Sequence, residues 1–319
     1  MNYWNQKFKI KNLEFPRFIG APLDGVTDSP FRRLVRKFSK EELLYTEMRH
    51  VASVANAKNN KSLKFLPIER PLNFQFAANK VDFIPKACEK ILREGVDSVD
   101  LNIGCPARQT VNSGSGSALM SDVPRLKKIL CLFRDKLKDM PFTVKMRAGF
   151  KENNALTIAK IIQDAGADAI AIHPRLQSQK FSGIPDYSVA RKVKNAVTIP
   201  VLFSGGIVDF KTANMVYEQT GVDGFLIGRG MWSKPWKLKE LKEHSVGKHF
   251  EVDKKTILQC ALSHLSHIVD YYGKDGLYIF RKHLSFYIKG IPFACELRHK
   301  VISEESIDKV KEYLIDFLG

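Results

Sequence analysis

Short apolar runs bounded by turn residues recur along the chain, over residues 18–23, 43–48, 72–77, 98–103, 142–146, 169–173, 200–204 and 224–227. Between them, apolar residues fall at helical spacing, as in Ile84, Ala87, Cys88 and Ile91, or Leu126, Ile129, Leu130 and Phe133. Each such stretch is long enough for a crossover helix. Near-continuous apolar strands that alternate with helices predict a parallel sheet covered by helices. Repetition at intervals of roughly 25 to 30 residues predicts a closed (β/α)8 barrel. An open doubly wound sheet is the alternative, but its phosphate signature, G-x-G-x-x-G after the first strand, is absent. That strand instead runs into Ala21-Pro22-Leu23-Asp24-Gly25.

Two stretches break the rhythm. Residues 105–122 are rich in Pro, Asn, Ser and Gly without periodicity, which predicts a loop at the barrel mouth, where strand C-termini carry the chemistry. Beyond Lys242 the strand signals stop. The expected organisation is a barrel over 1–243, a polar linker over 244–252 and an all-helical unit over 253–319.

Charge adds a partner to this picture. The chain carries 51 Lys+Arg against 34 Asp+Glu, a formal charge of +17, which points to a polyanion such as nucleic acid. The helical unit holds about ten Lys and Arg against about nine Asp and Glu, so the excess belongs to the barrel portion. Within that unit, the run from Tyr278 to His283, followed by Phe286, Tyr287 and Lys289, mixes aromatics with cations in a way that suits phosphates and exposed bases. An amphipathic helix with its aromatics in the core reads equally well. The cysteines, Cys88, Cys105, Cys131, Cys260 and Cys295, form no C-x-x-C pair and no cluster at metal-ligand spacing. Reduced thiols in a cytoplasmic protein without metal are expected. The first twenty residues lack the apolar core of a leader or membrane span, so a soluble chain is expected, and nothing requires a second copy to close its core.

Candidate chemistry gathers at the ends of the predicted strands. The fourth ends Asn102-Ile103-Gly104-Cys105-Pro106, which puts a thiol at the mouth. In the fifth, alternation sends Lys145 and Arg147 toward the barrel axis, where two cations need anions. The sixth delivers His173. The seventh and eighth end Ser204-Gly205-Gly206 and Gly228-Arg229-Gly230, where barrels commonly build a phosphate cradle from backbone N–H groups, helix starts and a charged fork. Gln75 interrupts the apolar third strand with an amide that suits a planar heterocycle.

In this order, the motifs Ala21-Pro22-Leu23-Asp24-Gly25-Val26-Thr27-Asp28, Asn102 to Pro106, Val144-Lys145-Met146-Arg147, His173, Ser204-Gly205-Gly206-Ile207 and Gly228-Arg229-Gly230 cover most of the chain. The set resembles the tRNA-dihydrouridine synthases, most of all their bacterial B-type branch. The resemblance implies a barrel that holds FMN, a C-terminal helical domain that grips tRNA, and reduction of selected uridines to 5,6-dihydrouridine with NADPH. By the same resemblance, Pro22, Leu23 and Asp24 line the isoalloxazine ring, Gln75 and Lys145 bond its polar edge, and His173 assists near its phosphate or ribityl chain. Ser204, Gly205, Gly206, Gly228 and Arg229 hold the phosphate. Cys105 is the general acid that protonates C5 after hydride reaches C6, while Asn102 and Arg147 orient the uracil and Arg175 lies on the substrate side. Departures from the family pattern are Leu23 in place of methionine, Pro174 and Leu176 around Arg175, a loop over 111–116 without its lysine, and Ser204-Gly205-Gly206 in place of Asn-Gly-Asp.

A target base in folded RNA must leave its stack to reach such a site. Three other readings share parts of the pattern: a flavin barrel of the dihydroorotate or dihydropyrimidine type acting on a free base, a synthase acting on ribosomal RNA, and a noncatalytic RNA-binding module.

Overall fold

The structure, a computed structural model, describes residues 3–58 and 63–319. An antiparallel pair, β1 (Phe8–Ile10) and β2 (Leu13–Phe15), precedes a ring of parallel strands. The ring runs β3 (Phe18–Gly20), β4 (Leu44–Tyr45), β6 (Leu72–Ala77), β7 (Ser98–Ile103), β8 (Phe142–Gly149), β9 (Ala169–Leu176), β10 (Val201–Ser204) and β11 (Gly224–Ile227). The two-residue β5 (Arg49–His50) pairs with the end of β6. Strand β4 pairs with both β3 and β6, and β11 with β3, so the sheet closes on itself as a (β/α)8 barrel.

Helices α1 (Ser29–Val35), α2 (Val51–Asn56), α3 (Ile84–Arg93), α4 (Arg108–Asn112), α5 (Val123–Leu137), α6 (Ala155–Asp164), α7 (Tyr187–Ala196), α8 (Phe210–Thr220) and α9 (Lys237–Ser245) belong to the crossovers. Four more, α10 (Lys254–Tyr272), α11 (Gly276–Tyr287), α12 (Ala294–Ser303) and α13 (Ile307–Leu318), form the C-terminal unit. Among the described residues, no helix is long and apolar enough to cross a membrane.

Alternation along the strands separates two cores. Phe18, Phe74, Phe76, Leu101, Val144, Ile172, Phe203 and Phe225 point outward and pack beneath the helices. Ile19, Ala171, Leu202 and Leu226 point inward, where Phe8, Ile10 and Phe15 of the β1–β2 pair join them. A Cβ on Gly224, the first residue of β11, would sit 3.0 Å from the Phe8 ring, so this pair plugs the N-terminal end of the barrel. The inward positions of β6, β7 and β8 are different, for they carry Asn73, Gln75, Asp100, Asn102, Thr143 and Lys145.

Several bounds differ from the sequence expectation. Strand β3 stops at Gly20 because the chain turns: the Leu23 N–H goes to Thr27 Oγ1 at 2.9 Å and the Gly25 N–H to Glu47 Oε1 at 2.6 Å. Strands β8 and β9 run past Met146 and His173 because the two go on pairing, through a register shift between Arg147 and Gly149. The segment expected as loop, 105–122, contains α4 and a 3-10 helix (Gly116–Ser121) with Leu119 and Met120 buried. The last turn of α9 crosses residue 243, where the barrel was expected to end.

Helix α1 joins the two units. Its Phe31 belongs to the barrel's outer core and its Leu34 to a second core built by α10 to α13 with Trp236. Glu69 anchors α1 from below, accepting from Arg32 Nε at 2.8 Å and Ser29 Oγ at 2.7 Å. At its N-terminus Asp28 caps the Phe31 N–H at 3.0 Å and accepts the Tyr272 hydroxyl of α10 at 2.9 Å.

Burial is the largest influence on Asp28 and lifts its carboxyl from an ordinary 3.8 to about 6. Between those values the folded chain holds a proton that the unfolded chain has released, so this residue's contribution to stability falls as pH rises through the window. Asp28→Asn keeps a capping side chain but cannot titrate. The unfolding free energy of the native chain relative to Asp28→Asn should therefore fall by up to about 3 kcal/mol between about pH 4 and about pH 7, measured by urea titration. An equal difference at both pH values would contradict the assignment.

Candidate active site

Five of the inward polar residues of β6 to β8, all but Lys145, form one hydrogen-bonded chain. Thr143 Oγ1 accepts from Asn73 Nδ2 at 3.1 Å and donates to Asp100 Oδ1 at 2.6 Å. Asp100 Oδ2 accepts from Gln75 Nε2 at 2.8 Å, and Gln75 Oε1 accepts from Asn102 Nδ2 at 2.9 Å. Asn102 Oδ1 then accepts the N–H groups of Gly104 at 2.9 Å and Cys105 at 2.8 Å. The buried network thereby ends on the backbone of the thiol residue. Cys105 Sγ lies 3.6 Å from Thr110 Oγ1 of α4, and its carbonyl accepts from the Ser117 N–H and hydroxyl at 3.1 and 2.9 Å. These contacts hold the segment 105–117 folded back over the mouth.

Cys105 opens into a cavity of about 850 Å³ at the C-terminal end of the barrel. Its lining includes Pro22, Leu23, Asp24, Gln75, Asn102, Lys145, His173, Ser204, Gly205, Gly206, Gly228 and Arg229, brought together from seven loops or strand ends. The volume lies toward the upper end for small-molecule sites. Charge in it is one-sided. Arg108, Lys145, Lys180, Arg229, Lys234, Lys237 and Lys289 line it, and Asp24 is the sole acid among the described lining residues.

The electrostatics record this excess. Desolvation deep in the barrel, then Arg147, push Lys145 down to about 8 against the opposing pull of Asp100. Burial raises Asp100 to about 6. His173 falls to about 2, first through burial and then through Lys145, Arg147, Arg175 and Arg229, so its imidazole is neutral at physiological pH. Arg175 Nη1 lies 2.9 Å from His173 Nε2, and because guanidinium only donates, Nε2 accepts and the ring proton sits on Nδ1.

Two residues expected at the substrate stand behind the wall. Arg147, 1% exposed, donates from Nε to the Gly104 carbonyl at 2.8 Å and from Nη1 to the Leu176 carbonyl at 3.0 Å. Arg175, 5% exposed, is divided between His173 and the carbonyls of Ser182 at 3.1 Å and Gly183 at 2.6 Å. Neither lines the cavity, because β8 and β9 extend beyond their expected ends and carry both guanidinium groups into strand-flanking backbone. Asn102 does line the cavity, but both ends of its amide already serve Gln75 and the Cys105 turn.

Gly205 and Gly206, at φ +116° and +79°, leave β10 with N–H groups that meet no acceptor among the described residues. Arg229, exposed beside them, forms no ion pair among the described residues and packs its guanidinium 4.6 Å from the centroid of Phe181. Free backbone donors next to an unpaired guanidinium fit a phosphate. Behind Ser204-Gly205-Gly206, α8 starts at Phe210 as expected, but after β11 only a 3-10 turn (Arg229–Met231) follows, and α9 begins at Lys237.

Phe181, on the loop after β9, escaped the sequence reading, since an aromatic in a polar loop carries no periodic signal. So did Trp232 and Lys234, from the loop after β11. The aromatic and basic run of α11 divides: Phe280, His283 and Tyr287 are buried in the second core, whereas Phe286 and Lys289 reach the cavity. No group of three or more His, Cys, Asp or Glu residues suited to a metal occurs among the described residues.

A closed barrel that gathers a thiol, cations and free backbone donors in one cavity at the C-terminal ends of its strands has the build of a barrel enzyme. The profile of the family described as Dihydrouridine synthase (Dus) matches residues 19–317, and the chain belongs to that family. Relatives include a probable tRNA-dihydrouridine synthase of Rickettsia conorii, 37% identical over 97% of this chain and 96% of its own. The probable tRNA-dihydrouridine synthase 1 of Synechocystis sp. is 33% identical over 98% of this chain and 89% of its own. The tRNA-dihydrouridine synthase B of Pseudomonas aeruginosa is 33% identical over 88% and 86%. Among solved structures, morphinone reductase in complex with tetrahydroNAD superposes with a TM-score of 0.56 over 78% of this chain and 92% of that one; at 10% identity this likeness is one of fold.

A Cβ on Gly205 would sit 2.5 Å from His173 Cδ2, in a backbone conformation that L side chains rarely adopt. Gly95, at φ +75°, has nothing within 4 Å of its Cβ position. Gly205→Ala should therefore destabilise the fold by about 2 to 4 kcal/mol, strain plus overpacking, and Gly95→Ala by about 1 kcal/mol, strain alone. Equal losses in chemical denaturation would show that the His173 contact is not tight.

Proposed function

We propose that this enzyme reduces the C5–C6 double bond of selected uridines in tRNA, using FMN as its bound redox group and NADPH as reductant. The observation that carries the reading is that Cys105 and the cradle of Gly205, Gly206 and Arg229 face one cationic cavity. The fit to FMN rests on this structure's own donors: two free backbone N–H groups and an unpaired guanidinium for a phosphate, with Lys145 and Gln75 toward the barrel axis for the polar edge of a flat ring. Pro22, Leu23 and Asp24 line the same cavity, with Leu23 beside Gly228, and Ser204, Gly228 and His173 would complete the phosphate end. Reduced FMN supplies, when bound, the hydride that goes to C6.

The chain's own residues do the rest. Cys105 holds the proton for C5, on a backbone that Asn102 fixes through the Gly104 and Cys105 N–H groups. The thiolate left behind regains its proton from water at the open mouth. Asp100 keeps Gln75 in one orientation, so its amide meets the ring edge without rearrangement. Arg175 holds the neutral His173 ring in a single tautomer. Arg147 ties the Gly104 turn to β9 and acts on the substrate pocket only through that turn. The helical unit over 253–319 and the basic exterior of the barrel hold the RNA by its backbone and shape, while one base enters the cavity.

Cys105→Ala should keep bound flavin and tRNA affinity and lose at least about 100-fold in single-turnover uridine reduction, the usual weight of a general acid. Turnover within a factor of two of native would refute the acid role. Arg229→Ala should lower flavin retention by roughly 10-fold, through loss of a charge-assisted bond of about 1.5 kcal/mol, read by absorbance after dialysis. Undiminished flavin content would move the phosphate elsewhere.

A further inference from the structure

The cavity continues beyond the proposed redox centre to the junction of the two units, where its wall is aromatic. Trp232, from the loop after β11, and Phe286, from α11, stack with ring centroids 4.1 Å apart and planes 13° from parallel. Both rings are half-exposed and line the cavity that Cys105 opens into. The Trp232 Nε1–H has no acceptor among the described residues. Beside the pair stand Lys234 and Lys289, both exposed and lining the same cavity, and neither forms an ion pair among the described residues. Lys237 lines the cavity too, but it is buried and already occupied by Glu240 and the Val208 carbonyl. An aromatic wall flanked by unpaired ammonium groups is the chemistry that holds a nucleotide, base on ring and phosphate on cation. The one acid lining the cavity, Asp24, lies within 3.8 Å of Arg49 and is screened from this end.

We infer that Trp232 and Phe286, with Lys234 and Lys289, form a subsite for a nucleotide adjacent in the RNA chain to the uridine that is reduced. The inference rests on the proposed RNA substrate and adds what the strand-end motifs do not contain: a second base held across the junction of the two units. A subsite continuous with the Cys105 pocket cannot be filled by the reacting base itself, which must sit at the thiol. A neighbour in the same polynucleotide arrives with the correct tether, a phosphate on each side and an aromatic face. Because one ring comes from the barrel and the other from the helical unit, the subsite forms only when the two are docked as here.

The test is equilibrium binding of unmodified tRNA to the flavin-loaded enzyme over a salt series, for the native chain, Trp232→Ala, Trp232→Phe and Lys289→Ala. Loss of a base–aromatic stack weakens binding by about 5- to 100-fold, so Trp232→Ala should show a loss in that range and Trp232→Phe should recover most of it. Lys289→Ala should reduce the slope of log K against log salt by about one. Recovery by phenylalanine separates stacking from misfolding, and Lys289, an exposed residue, tests the phosphate half without touching the rings. If native enzyme binds tRNA and all variants bind it equally, the subsite is refuted and the proposed reaction stands. If native enzyme fails to bind tRNA, the RNA reading itself falls and takes the subsite with it. Bound flavin that drops in Trp232→Ala while RNA affinity holds would assign the wall to the cofactor, and variants that change only NADPH affinity would assign it to the dinucleotide; either overturns the inference.

Discussion

The organising constraint of this molecule is the hydrogen-bonded chain from Thr143 through Asp100, Gln75 and Asn102 to the backbone of Cys105. Its members are buried inside a barrel, where an unpaired polar group costs about 1 to 3 kcal/mol and a half-satisfied network is worse than an apolar one. Each amide therefore has one orientation, and the strand ends that carry Gln75, Asn102 and Lys145 are locked in register with one another. The thiol inherits that rigidity through two backbone N–H groups. The opposite half of the barrel interior is filled by Ile19, Ala171, Leu202 and Leu226 and plugged by Phe8 and Phe15, so the polar half faces a single opening.

Positive charge follows from the same geometry. Lys145 is brought inward by alternation on β8, and the guanidinium groups of Arg147, Arg175 and Arg229 crowd around His173, leaving Asp100 as the buried counter-charge near Lys145. Burial first, and then this field, keeps His173 neutral, and the same charge leaves the Gly205–Gly206 cradle attractive to an anion. The ring of Phe181 lies 5.6 and 4.6 Å from the guanidinium groups of Arg147 and Arg229, so both cations gain an aromatic face. The C-terminal helices complete the wall with Phe286 and Lys289, and α1 holds them in place through Leu34 and the Asp28–Tyr272 bond.

The alternation on β6 and β7 is legible in the chain: Leu72-Asn73-Phe74-Gln75-Phe76 and Val99-Asp100-Leu101-Asn102-Ile103 each put a polar residue at every second place, but the roles of Asn73 and Asp100 are not. Polar residues at such places read as interruptions until their partners are known, and those partners lie on neighbouring strands 25 to 70 residues away. Arg147 and Arg175 show the converse. Their charge and strand position are visible in the chain, but whether a long side chain reaches the cavity or turns to a carbonyl depends on where pairing between β8 and β9 stops.

What the amino-acid order determined by itself is the barrel, the thiol at the mouth, the inward lysine and the glycine cradle, since each depends on periodicity or on residues within a few positions of one another. Tertiary structure alone decided the rest: which polar side chains are spent on each other, which cations face the cavity, and that Phe286 of α11 meets Trp232 of the β11 loop. Those outcomes depend on distance between segments far apart in the chain, and hydrogen bonds and stacking act over only a few ångströms, so they exist only once the barrel closes and the helices dock.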